Sequence, residues 1–217
     1  MGKFTLYDFL SFVLPGGTFI GILYLSLNIP DLSITQKELF IIPFLVVSYL
    51  LGHLFSLLGQ KIEQVSFHKH AFWMDYLKNN PEMAKEINRL SINKLKSTSF
   101  INKDGTILKN ESEKAYDNIY SFLELEEKDS KIKTLMAQYG FFRNTSGVWL
   151  LLLIIQIFLF AFDLLIANEP SRSAIPDCLL IFAFLIAFLA SVSLMRQRKK
   201  MAMKFVYKSF VVYTNIE

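Results

Sequence analysis

The chain has 217 residues, a net charge of +4 and a single cysteine. Hydrophobic residues make up 53% of it and mean hydropathy is +0.36, a balance that excludes an ordinary water-soluble domain of this length. The lone Cys178 excludes an internal disulfide, has no metal-ligand spacing around it and reads as a small buried core residue.

The apolar residues fall in four blocks: about Phe9 to Ile29, Leu39 to Gly59, Gly147 to Ala167 and Ile175 to Met195. Each is close to the ~20 residues that cross a bilayer as a helix at 1.5 Å per residue. The first is expected to be a retained span rather than a cleaved leader, because Lys3 is offset by Asp8 and no small-x-small site comes after it. Lys37 is the only Lys or Arg in the first outer linker and Arg172 the only one in the last, whereas the segment from about Gln60 to Asn144 holds fourteen. The tail adds Arg196, Arg198, Lys199, Lys200, Lys204 and Lys208. The positive-inside rule then predicts a multi-pass membrane protein with both termini and the central segment in the cytoplasm. The expected fold is an all-α membrane protein with four transmembrane helices and a mostly helical cytoplasmic domain between the second and third. Its parts are 1–59 (two spans), 60–144 (cytoplasmic domain), 145–195 (two spans) and 196–217 (basic amphipathic tail).

Within the central segment, Gln60 to Lys78 is expected to continue the second helix. Asn80-Pro81-Glu82 reads as a helix start with Asn80 as cap, and Met83, Ile87 and Leu90 line one face of that helix. Lys103-Asp104-Gly105 is a turn signal for a small hairpin between Phe100 and Lys109. A helix is expected from Ser112, exposed where Glu124–Lys128, Glu127–Lys131 and Asp129–Lys133 pair at i,i+4, with Ile132, Leu135, Met136 and Tyr139 opposite and a break at Gly140. In the tail, Arg196, Lys200, Lys204 and Lys208 form a basic stripe beside Met203, Val206, Tyr207, Phe210 and Val211. That pattern suits contact with anionic lipid or a protein partner, more than direct nucleic-acid binding.

Small residues recur every four positions: Gly17 and Gly21; Ser48, Gly52 and Ser56; Ala183, Ala187 and Ser191. Such stripes let helices approach closely, within one bundle or between protomers of a homo-oligomer. Pro15-Gly16-Gly17 marks a kink or hinge in the first span. Deep ionisable residues, the markers of ion-coupled transport, are nearly absent: Asp163 and Asp177 sit near span ends, and Gln156 is neutral. A conduit would therefore rest on Ser48, Ser56, Gln156 and Ser191. At the inner leaflet Asp8, His53, Glu63 and Arg143 fall at similar depth, with Ser56 and Asn144 nearby, as a structural network or a gate. His68-Lys69-His70 has no third ligand for a metal, and no phosphate loop, nucleophile elbow or zinc-protease signature occurs. No cofactor and no enzymatic activity are expected.

Tyr7-Asp8 with Pro15-Gly16, Gly52-His53, Gly140-Phe141-Phe142-Arg143-Asn144 and the basic-aromatic tail come in an order that resembles small bacterial membrane proteins of phage-defence loci. Among these are the four-helix membrane accessories of RNA-targeting type VI-B CRISPR systems. The resemblance implies a role in limiting infection at the bacterial inner membrane and carries over no catalytic residue. The expected function is a non-enzymatic, oligomeric accessory that alters membrane permeability on a cytoplasmic trigger, with a pore-free anchor for a soluble cytoplasmic defence protein as the alternative.

Overall fold

The computed structural model describes residues 9–26, 34–67, 72–102, 104–166 and 174–216. A π-helical turn, Phe9–Val13, leads into α1 (Leu14–Ser26). Six more helices follow among the described residues: α2 (Ile34–Phe67), α3 (Phe72–Lys78), α4 (Pro81–Leu95), α5 (Lys109–Leu125), α6 (Ser130–Ile166) and α7 (Ala174–Ile216). Among the described residues there is no strand, and the expected hairpin is a single antiparallel bridge between Ile101 and Ile107. Its turn places Gly105 at φ +83°, a conformation open to glycine. Among the described residues three helices are long and apolar enough to cross a membrane, over Ile41–Ser66, Ser130–Phe162 and Pro176–Asn215, while the apolar stretch Ser11–Leu23 is shorter.

The chain divides into two compact units, 1–66 with 137–196 and 67–136 with 197–217. The first is built on Phe19 of α1, Phe55 of α2 and Val148 and Leu152 of α6, with Phe184 of α7 packed against them. The outward faces stay apolar: Ile42, Leu50, Phe158, Leu165, Leu179 and Phe182 are all exposed. Unpaired apolar surface on this scale is what a lipid solvent requires and what water penalises. Close approach depends on glycine at a few crossings. A Cβ on Gly16 would collide with the backbone of Ser48, one on Gly52 with the backbone of Phe12 and one on Gly59 with that of Arg143. One on Gly147 would meet the Phe55 carbonyl at 2.9 Å. Gly17 has only ordinary side-chain neighbours, and nothing lies within 4 Å of a Cβ on Gly21. Ser48, Gly52, Ser56 and Ser191 are buried inside the chain's own packing, whereas Ala183 stays exposed.

The second unit has a conventional aqueous core. Leu77, Ile87, Phe100, Ile119, Leu123, Ile132, Val206, Tyr207 and Phe210 are closed off from solvent. The tail is therefore not a free amphipathic helix. Val206, Tyr207 and Phe210, the apolar stripe expected to meet lipid or a partner, are consumed by the core, because Leu77, Ala115, Ile119 and Leu123 present a matching apolar surface. Pro81 does open α4 and Asn80 precedes it, but the Asn80 amide donates to the Tyr76 carbonyl at 2.8 Å and makes no cap. The expected exposed helix through residues 124–133 is interrupted. Helix α5 stops at Leu125, Glu127 takes φ +54°, and α6 restarts at Ser130, so the i,i+4 register is lost across the break. Lys133 still reaches Asp129 at 2.8 Å, while Lys128 and Lys131 lie over the rings of Tyr213 and Phe205. Gly140 does not break α6. Cys178 is exposed rather than buried.

Candidate functional site

The first unit holds a connected set of polar side chains. Its origin is Pro15. A proline has no N–H to give the carbonyl four residues back, which is that of Ser11. Ser11 is fully buried, so its carbonyl needs another donor. The Asn144 side-chain amide, equally buried, supplies it. The π-helical turn over Phe9–Val13 accommodates the same lesion, so Pro15-Gly16-Gly17 is absorbed into a continuous helix at that point.

Arg143, the neighbour of Asn144, turns into the same region. Its guanidinium donates to the Ser56 hydroxyl at 3.0 Å and to the Asn144 side-chain oxygen at 3.3 Å. It also lies 5.6 Å from the centre of the Tyr139 ring. The Tyr139 hydroxyl donates to the Glu63 carboxylate. Tyr139 is thus held by an acid at its hydroxyl and a cation at its ring. Glu63, Tyr139 and Arg143 lie on facing stretches of α2 and α6, which Gly59 and Gly147 allow to close on each other.

Of the four residues assigned to the inner-leaflet set, the structure joins Glu63 and Arg143 through Tyr139 and links Arg143 to Ser56. His53 is exposed and engaged by rings, stacked on Phe12 at 4.0 Å and edge-on to Tyr49 at 4.6 Å. Asp8 lies outside the described residues. Ser11 and Tyr139 belong to this site although sequence reasoning does not select them for it. The signal for Ser11 is its position four before Pro15. Tyr139 falls on an apolar face of its helix, and only the α2 crossing shows that its hydroxyl meets an acid.

Of the polar groups named for a conduit, Ser56 and Gln156 have partners within the chain, and the Ser48 hydroxyl is buried with none among the described residues. Ser48 and Ser191 are buried, Ser56 accepts from Arg143, and Gln156 donates to Asp177 at 3.0 Å. In the second unit Lys200, Lys204 and Lys208 line a cleft, and Arg196, in the first, donates to the Ser66 carbonyl at 2.5 Å. Among the described residues no cluster of His, Cys, Asp and Glu could hold a metal. Comparison with protein-family models, curated proteins and solved structures finds no match.

Proposed function

We propose that this chain is a four-pass inner-membrane protein of bacterial antiviral defence, non-enzymatic, whose cytoplasmic unit receives a trigger or a soluble partner. The observation that carries the reading is the contrast between its two parts. One unit leaves its long apolar helices uncovered, and the other closes a complete core around a lysine-rich surface. The fourth span is the first apolar block, whose helix packs Phe19 against Phe55 and Leu152. The lysine and arginine bias puts the second unit and both termini inside. The defence role rests on the resemblance of the Pro15-Gly16, Gly52-His53 and Phe142-Arg143-Asn144 elements.

Two versions of the reading differ in output: a homo-oligomer that alters membrane permeability, or an anchor that holds a soluble defence protein at the bilayer. The partners that Ser56 and Gln156 have within the chain, with the burial of Ser48 and Ser191, favour the anchor, because they leave a conduit little neutral polar lining. The deciding measurement is membrane potential in infected cells carrying the intact locus. Retained potential with protection against phage supports the anchor. Depolarisation that depends on this protein supports the permeability version. Absence of any protective effect removes the defence role altogether.

A further inference from the structure

The tail lysines do more than sit on a solvated face. Lys200, Lys204 and Lys208 recur every four residues along α7 and line one wall of a cleft of about 660 Å³. The opposite wall is the α3–α4 corner, with Asp75, Tyr76, Asn79, Asn80 and Met83, and Met201 completes the lining. All of these residues belong to the second unit. The volume is that of a site for a drug- or nucleotide-sized molecule. The lining carries three lysines and one carboxylate, that of Asp75, so its net charge is positive. Asn79 and Asn80, just before α4, add amide groups to this wall. Tyr76 and the two methionines supply a flat, polarisable apolar surface. Tyr76 is held by stacking on the buried Tyr207, ring centres 5.7 Å apart at an interplanar angle of 10°. The wall is therefore anchored to the core of the unit.

We propose that this cleft binds a small phosphorylated molecule carrying a planar ring, of the nucleotide class, with Lys204 and Lys208 on the phosphates and the ring against Tyr76 and the methionines. The inference deepens the reading of this unit as the trigger-receiving part and supplies the chemistry of the trigger. A phosphate could reach these lysines from a free nucleotide or from a lipid headgroup, and the test separates the two.

Full-length protein in neutral phosphatidylcholine nanodiscs is titrated with a fluorescent ATP analogue, with competition by unlabelled ATP and by tripolyphosphate. Saturable binding that weakens with added salt is expected. Lys204→Gln with Lys208→Gln should weaken it by about tenfold or more, the scale of one lost charge-assisted hydrogen bond. Both side chains are exposed, so the variant should keep the wild-type unfolding temperature. No saturable binding, or binding unchanged in this variant, overturns the proposal. Tripolyphosphate competing as well as ATP overturns the assignment of the ring. Native mass spectrometry that shows phosphatidylglycerol retained by wild type and lost from the variant, with no ATP binding, assigns the site to a headgroup and overturns the nucleotide. These readouts need no phage, so their failure is distinct from failure of the defence role.

Discussion

At the scale of single residues, Asn144 is the side chain whose role is most sharply defined. It fills the vacancy that Pro15 leaves at the Ser11 carbonyl, in a region closed to water. Asn144→Leu should therefore destabilise the folded protein in detergent by about 1–3 kcal/mol, the usual cost of an orphaned buried carbonyl. In a Pro15→Ala background, where the helix regains an N–H for Ser11, the same change should cost less. Equal losses in both backgrounds would refute this pairing, and a double-mutant cycle on unfolding midpoints measures it. Away from the membrane spans, ionisation gives a second test. Burial pushes the Tyr116 hydroxyl up to about 12. Its protonated form is the one the fold prefers, so its contribution is complete below the ordinary phenol value near 10. That contribution is lost as pH rises through 10 towards 12. Glu111 moves the other way: its bonds from Thr98 and Lys114 hold the carboxyl below its usual value. Its contribution is present at neutral pH and fades as pH falls through the folded value. Alkaline absorbance titration and NMR titration of the carboxyl check the two directions.

At the scale of elements, the small-residue stripes separate into used and unused positions. Gly52 faces the backbone of Phe12, while Gly21 faces open space. Gly52→Leu should unfold or misassemble the chain, with a cost of about 1–3 kcal/mol or more for overpacking. Gly21→Leu should leave the unfolding temperature within a degree or two. Should Gly21→Leu instead shift the detergent-purified protein from oligomer to folded monomer, that face joins protomers. Gly52 cannot serve as such a probe. The tail behaves in the same way. Removing residues 199–217 would strip Val206, Tyr207 and Phe210 from the core of the second unit, so the deletion should report folding rather than lipid contact. Tyr207→Ala alone should cost about 3–5 kcal/mol. Proteolysis of the second unit, compared between Tyr207→Ala and Lys204→Gln with Lys208→Gln, distinguishes the buried stripe from the exposed one.

At the scale of the whole molecule, the topology is the statement on which the function depends. In a Cys178→Ser background, a cysteine at Asn168 should react with an impermeant maleimide in intact spheroplasts. One at Asp104, on the exposed turn, should react only after permeabilisation. The reverse pattern would place the second unit outside and end the proposal of a cytoplasmic trigger. Composition and periodicity carry this level well: apolar blocks of span length, charge bias between linkers and the helix start at Pro81 are local properties, legible without neighbours. The stop at Glu127 was not legible, because paired charges at i,i+4 favour a helix, and the left-handed turn between α5 and α6 overrides them. Nor could the tail be assigned, since an amphipathic stripe fits lipid and protein equally until a complementary face is known. The sequence by itself determined that the chain is helical, asymmetrically charged and supplied with helices apolar enough to cross a membrane, because those properties depend on the solvent each stretch can tolerate. Only the tertiary structure decided that Asn144 serves Pro15, that Tyr139 serves Glu63 and that the tail lysines overlook a cleft. Each of those pairings joins positions far apart in the chain, and residue type alone does not say which of them will meet.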